Sequence, residues 1–97
     1  DFQLEFDMLN TLENLIKLAR DRKARPTEGS YTNKLLANKS LSKKKVLEEI
    51  DELLEAVENN TNIIHEAADV FYHLLIYLEA NEIKIEEVMS ELEERKK

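Results

Sequence analysis

Residues 63–78 of this 97-residue chain read IIHEAADVFYHLLIYL, and this stretch decides the fold. It is long, strongly apolar and free of glycine and proline, so it predicts a helix that is buried almost all round. Four side chains interrupt the apolar pattern. Glu66, Asp69 and His73 fall within an arc of about 60°, and His65 lies about 40° outside it. The predicted helix therefore carries one narrow polar stripe that is rich in carboxylate.

The rest of the sequence is also typical of helices. One glycine and one proline leave little of the turn chemistry that a sheet protein needs. We therefore expect an all-α fold of four to five helices, in a single domain over residues 1–97. The predicted helices run from about Phe6 to Lys23, from a Ser30 cap through Leu36, from about Ser42 to Glu58, from about Ile63 to Glu79 and from about Ile85 to Glu94.

Apolar side chains recur at helical spacing and define the faces expected to point inward. These are Met8, Leu9, Leu12, Leu15, Ile16 and Ala19 in the first helix, Val46, Ile50, Leu53, Leu54 and Val57 in the third, and Ile85, Val88, Met89 and Leu92 in the fifth. The breaks between helices are expected at residues 25–29, 38–42 and 59–62, where Thr61 or Asn62 can cap the fourth helix.

The charge of the chain limits its partners. It has 14 basic and 21 acidic residues, a net charge of −7, which disfavours binding to nucleic acid. A protein this acidic needs a divalent cation to bind phosphates. The absence of cysteine excludes disulfides and suggests a cytoplasmic protein. No apolar run approaches the roughly 20 residues of a membrane span, so we expect no membrane association.

A second set of carboxylates lies on the third predicted helix. Glu49 and Glu52 share a face, with Lys45 one turn earlier, and Glu49 borders the apolar stripe. Antiparallel packing of the third and fourth helices would bring both acidic faces together. Buried carboxylates must be paired or bind metal, and four of them form an oxygen site suited to Mg²⁺ or Mn²⁺.

Simpler interpretations stay open from these residues alone. Glu-x-x-Glu spacing is common in this chain and recurs on what we take to be solvated surface. The carboxylates of the fourth helix could form an ion pair with a lysine or arginine. Lys45 could pair with Glu49 as a helical salt bridge. His73 could be a hydrogen-bonded core histidine, and Tyr72 could be a core or interface residue.

From Leu12 to Arg95 the chain resembles phosphoribosyl-ATP pyrophosphohydrolase, the second enzyme of histidine biosynthesis. The Glu-Glu-x-x-Glu and Glu-x-x-Asp motifs alone resemble the wider group of MazG-type all-α nucleotide pyrophosphohydrolases. Gly-Ser-Tyr-Thr at residues 29–32 and Ala-Asp-x-x-Tyr-His at residues 68–73 narrow the resemblance to the histidine-pathway enzyme. Leu47 departs from the glycine that many members have at this position.

The resemblance implies a MazG-like helical bundle that forms a homodimer. It implies Mg²⁺-dependent hydrolysis, with Mn²⁺ as an alternative ion, of phosphoribosyl-ATP between its α and β phosphates to phosphoribosyl-AMP and pyrophosphate. It assigns the metal ligands as Glu49, Glu52, Glu66 and Asp69, the catalytic residues as Lys45, Glu48 and Glu49, and the substrate contacts as Ser30, Tyr31, Thr32 and His73. Within this set Lys45 faces the phosphates, and Glu48 is a ligand or a base for water.

Two other functions are compatible with the same residues. A MazG-type house-cleaning enzyme, which hydrolyses non-standard nucleoside triphosphates, would have the same metal site. The Ser30 to Thr32 turn argues against it. A non-enzymatic helical dimerisation module would use the apolar faces alone and would need no metal.

Overall fold

The computed structural model describes the backbone of residues 6–96 and the side chains of residues 10–96. All of the regular structure in this part is α-helical, which confirms the predicted all-α class. Met8 and Leu9, predicted to point inward, lie outside the described side chains. The five helices are α1 (Phe6–Ala24), α2 (Tyr31–Ala37), α3 (Lys39–Asn59), α4 (Ile63–Ala80) and α5 (Ile85–Glu94).

Two side chains set the boundaries of α2 and α3. Ser30 caps α2 as predicted, because its Oγ accepts a hydrogen bond from the Asn33 N–H at 3.2 Å. Asn38 ends α2 and also caps α3, with its Oδ1 accepting from the Leu41 N–H at 3.0 Å. A break therefore occurs where it was predicted, but it is confined to Asn38, so its predicted extent over residues 38–42 was wrong. One extended residue separates the helices, since an asparagine cap lets α3 begin immediately after it.

The turn between α3 and α4 makes these two helices an antiparallel hairpin. Asn60 adopts a left-handed conformation with φ of 54°, which asparagine tolerates better than most residues. The N–H of Thr61 donates to the carbonyl of Ala56, and the N–H of Asn60 donates to that of Val57. These bonds form a Schellman motif that ends α3. Asn62 occupies the predicted N-cap position of α4, but its side chain makes no capping hydrogen bond.

The buried core is small and lies where α1, α2 and α4 meet. Ala19, Leu35 and Ile76 are its fully buried members, one from each helix, and Leu36, Leu41 and Tyr72 pack against them. The buried apolar side chains among residues 10–96 are three alanines, Leu35 and Ile76, so this core alone gives limited hydrophobic stabilisation.

One arginine connects α1 with both α4 and α5. The Arg20 guanidinium donates to Glu79 at 3.2 Å and to Glu86 at 2.7 Å. Glu79 is buried at the end of α4, whereas Glu86 lies in the first turn of α5, where its pKa is lowered to about 2 by the hydrogen bond from Arg20. Arg20 therefore holds α5 against the rest of the molecule.

Several side chains that we predicted to point inward are exposed in the protomer, so that part of the prediction was wrong. On α3 the exposed stripe includes Leu47, Ile50, Leu54 and Val57, on α4 it includes Ile64, Phe71 and Leu74, and on α5 Met89 and Leu92 are half exposed. The residues of each stripe are three, four or seven apart, so they share a face. The periodicity located these apolar faces, but no element among residues 10–96 covers them. None of the described helices is long and apolar enough to cross a membrane.

Candidate metal centre

The α3–α4 hairpin brings the predicted carboxylates together. Glu49 and Glu52 on α3 and Glu66 on α4 each place one oxygen within 4.8 Å of the others. Asp69 lies on the same side of α4 and forms a second group of this kind with Glu66 and His65. Because Glu66 belongs to both groups, the four predicted ligands line one acidic cluster.

Glu49 is the most constrained member of the cluster. Its side chain is only 8% exposed, and its Oε2 has no hydrogen-bond partner among the described residues. Burial raises its pKa from 4.5 to about 7, and the nearby carboxylates of Glu52 and Asp69 add to that effect, while Lys45 opposes it. A buried carboxylate with an orphaned oxygen and acidic neighbours fits a divalent cation, which supplies the missing positive charge and accepts oxygen ligands.

Lys45 lies between the cluster and Glu48. Its Nζ is 3.3 Å from Glu48 Oε2 and 3.7 Å from Glu49 Oε1, so the helical salt bridge considered from the sequence does form. The hydrogen bond to Glu48 is the main reason that the pKa of Lys45 is raised. One ammonium group cannot neutralise four carboxylates. Glu48 itself is half exposed and lies outside both carboxylate groups.

Two hydrogen bonds join the start of α2 to the middle of α4. The Tyr31 hydroxyl is 2.9 Å from His73 Nε2, and Thr32 Oγ1 is 2.5 Å from the Tyr72 hydroxyl. His73 Nδ1 is also 2.7 Å from the backbone carbonyl of Asp69. A carbonyl oxygen only accepts, so Nδ1 carries a proton, and in this tautomer Nε2 accepts from the Tyr31 hydroxyl.

These contacts refine the roles expected for the aromatic residues. His73 is buried with both ring nitrogens engaged, so the structure places it beneath Tyr31, where it orients that side chain. Tyr72, whose hydrogen bond to Thr32 was not foreseen, packs its ring against both Tyr31 and His73. In the sequence, the one signal that Tyr72 lies near the site is its position three residues after Asp69 on α4.

An open depression lies at the start of α2. Its volume is about 500 Å³, and it is lined by Thr27, Gly29, Ser30, Tyr31, Asn33 and Lys34. Tyr31 borders both this depression and the carboxylate cluster. Burial raises the pKa of its hydroxyl, and the charges of Lys45 and Glu49 also act on it. The predicted contacts Ser30 and Tyr31 thus line the depression, whereas Thr32 is buried.

The sequence did not indicate a site role for His65. Its Nε2 lies 3.4 Å from Asp69 Oδ2 and 3.8 Å from Glu66 Oε1. Its position outside the polar arc concealed this proximity, because a helical projection ignores the reach of an imidazole side chain. The four-residue spacing from His65 to Asp69 was the available signal.

The α3–α4 hairpin of this all-α protein gathers carboxylate oxygens from two helices, and this donor set suits a divalent cation. The chain belongs to the phosphoribosyl-ATP pyrophosphohydrolase family, which it matches over residues 12–96. This match confirms the family resemblance drawn from the sequence motifs.

Individual relatives agree with the family assignment. The chain is 45% identical over 91 residues to the phosphoribosyl-ATP pyrophosphatase of Listeria welshimeri, covering 91% of this chain and 84% of that protein. It is 44% identical over 88 residues to the protein of the same name from Methylobacterium nodulans, with 88% and 82% covered. A histidine biosynthesis bifunctional protein of Pyrococcus furiosus is 44% identical over 90 residues, 92% of this chain, but the match spans only 43% of that relative's length.

Proposed function

We propose that this protein hydrolyses phosphoribosyl-ATP between the α and β phosphates, releasing phosphoribosyl-AMP and pyrophosphate. Its membership of the pyrophosphohydrolase family supports this function over both alternatives, a house-cleaning triphosphate hydrolase and a non-enzymatic dimerisation module. The observation that carries the proposal is the orphaned oxygen of buried Glu49, in a cluster that lacks sufficient positive charge. The proposed reaction is the second step of histidine biosynthesis.

Glu49, Glu52, Glu66 and Asp69 would hold the cation, Mg²⁺ or alternatively Mn²⁺. When bound, the ion neutralises phosphate charge and lowers the pKa of coordinated water. The α3–α4 hairpin supports this role because it holds carboxylates from two helices close together. Folding of the hairpin therefore supplies part of the free energy needed to bring the like-charged carboxylates together.

Glu48 and Lys45 complete the catalytic set. Glu48 lies outside both carboxylate groups and is half exposed, so we assign it to accept a proton from the attacking water. Lys45 holds Glu48 in place, with 3.3 Å between its Nζ and Glu48 Oε2. Incoming phosphates would compete with Glu48 for Lys45, which would free Glu48 to act as the base.

The substrate would enter through the depression beside Tyr31. The Ser30 side chain and the half-exposed Tyr31 ring line this space, and Tyr31 also borders the carboxylates. The bond from the Tyr31 hydroxyl to His73 fixes the ring, and the bond from Thr32 to Tyr72 anchors the backbone next to it. We therefore assign contact with the substrate to Ser30 and Tyr31, supported from below by Thr32 and His73.

We also propose that two copies of the chain form a homodimer through the exposed apolar stripes of α3 and α4. Leu54 and Val57 on α3 and Ile64 and Phe71 on α4 are all more than half exposed in the protomer. Apolar faces of this kind mark interaction surfaces in soluble proteins. Sedimentation should show a dimer for the wild type, and the dimer should dissociate more readily for Phe71→Glu.

The expected cytoplasmic location and the absence of nucleic-acid binding stay predictions.

The function is tested by measuring pyrophosphate release with Mg²⁺ from phosphoribosyl-ATP, ATP and a panel of deoxynucleoside triphosphates. Phosphoribosyl-ATP should give the highest kcat/KM. Glu49→Gln and Asp69→Asn should each lose about 100-fold or more, since a catalytic ion contributes several kcal/mol. Glu58→Gln, at an exposed position of α3, is the matched control for Glu49→Gln. Preference for a deoxynucleoside triphosphate would instead support the house-cleaning function.

A further inference from the structure

Among the described histidines, only His65 has a ring nitrogen that could bind a cation at the acidic cluster. It lies in the first turn of α4, next to Glu66 and four residues before Asp69. One candidate ligand atom from each of these three residues lies within 4.8 Å of the other two. The side chain is 73% exposed, so an incoming ion can reach the ring.

The observed spacing is suited to a shared ion. Two donor atoms that each lie about 2.1 Å from one metal are at most about 4.2 Å apart. The Nε2 of His65 is 3.4 Å from Asp69 Oδ2 and 3.8 Å from Glu66 Oε1, both within that limit. A charge-assisted hydrogen bond would instead bring the atoms to about 2.7–2.9 Å. The three groups are thus close without being bonded to one another.

We propose that His65, Glu66 and Asp69 form a subsite for a divalent transition-metal ion, with His65 as a nitrogen ligand. Imidazole binds transition metals well, whereas Mg²⁺ strongly prefers oxygen. Glu66 connects this subsite to Glu49, whose buried and unpartnered oxygen independently marks the region as short of a cation. This inference rests on the proposed function only because Glu66 and Asp69 belong both to the subsite and to the proposed metal centre.

Pulsed electron paramagnetic resonance of Mn²⁺ bound to the untagged chain tests the proposal directly. A coordinated imidazole couples its nitrogen to the electron spin, and this coupling should be present in the wild type and absent in His65→Ala. The chain has two histidines, and His73 is buried with both nitrogens engaged, so it cannot replace the signal. Labelling the histidines with ¹⁵N should change the coupling in the wild type.

Calorimetry supplies the second measurement. His65→Ala should weaken Mn²⁺ binding by about tenfold and Mg²⁺ binding by less than about twofold, because only the nitrogen ligand is lost. Glu66→Gln should weaken the binding of both ions.

The outcomes separate this inference from the proposed function. Tight Mn²⁺ binding that depends on Glu66 but shows no nitrogen coupling would overturn the role of His65 and leave the carboxylate site standing. Nitrogen coupling that disappears in His65→Ala would support the subsite even if phosphoribosyl-ATP were not hydrolysed. Equal Mn²⁺ affinity in the wild type, His65→Ala and Glu66→Gln would overturn the subsite and the proposed metal centre together.

Discussion

Replacing Glu49 with glutamine should make the metal-free protein more stable at pH 8. The pKa of Glu49 in the folded chain is about 7, compared with 4.5 for an ordinary glutamate, mainly because of burial. A shift of one pKa unit corresponds to about 1.4 kcal/mol, so keeping Glu49 ionised costs the fold about 3 kcal/mol. Glutamine removes the charge but leaves a buried amide to satisfy. We therefore expect a net gain of about 2 kcal/mol.

The pH dependence of this gain identifies its origin. Because the folded pKa lies above the unfolded value, the protonated carboxyl favours the fold at low pH. That stability is lost as pH rises from about 4.5 through about 7. Urea unfolding in EDTA, followed by circular dichroism, should show a difference between Glu49→Gln and the wild type below about 1 kcal/mol at pH 5 and near 2 kcal/mol at pH 8.

Saturating magnesium should make the wild type more stable than Glu49→Gln. A ligand that binds only the folded state stabilises it by mass action, so saturating Mg²⁺ at pH 8 should raise the wild type much more than Glu49→Gln. Glu58→Gln, at an exposed position of α3, controls for loss of one negative charge and should change little in either condition. If Glu49→Gln were less stable than the wild type in EDTA at pH 8, the claim that Glu49 is an uncompensated buried charge would be refuted.

Three further predictions concern groups around the site. Tyr31→Phe and His73→Gln should each lower kcat/KM about tenfold, because the hydrogen bond that fixes the Tyr31 ring is lost. Calorimetry should show unchanged Mg²⁺ affinity for both variants. A large loss of Mg²⁺ affinity would contradict a positioning role. Ser42→Ala should raise the free energy of unfolding in urea by about 1 kcal/mol, since the Ser42 hydroxyl is buried without a partner; lower stability would reveal a missed contact. Arg20→Ala should destabilise the protein by about 2 kcal/mol in the same assay, because Glu79 stays buried with a weaker partner, and an unchanged midpoint would exclude this role.

The helices and the acidic cluster could be predicted from the sequence because local rules govern both. Helical periodicity and the scarcity of glycine and proline located five helices. Glu66 and Asp69 stood out because they interrupt an apolar helix, and the short connection to α3 then determined which face they meet. Glu49 could be placed opposite them for the same reason.

The remaining features depend on tertiary structure or side-chain reach. Asn38 ends one helix and starts the next, and composition does not distinguish this double cap from an ordinary break. The pairing of Thr32 with Tyr72 joins residues 40 positions apart, which no local pattern encodes. Periodicity identified Leu54 as part of an apolar face, but it cannot tell whether the protomer itself or a second molecule covers that face.

Because the acidic cluster is costly and the core is small, we expect the stability of this protein to depend on its ligands. Domains of this size are stable by about 5–15 kcal/mol, and ionised Glu49 alone reduces that by about 3 kcal/mol near neutral pH. The core of the protomer offers little reserve, since its fully buried members are Ala19, Leu35 and Ile76. A bound cation would remove the electrostatic cost, and burial of the apolar stripes would add hydrophobic stabilisation. The free energy lost by burying an ionised carboxylate would then be recovered as affinity for the cation, so folding and cation binding would depend on the same carboxylates and the same hairpin.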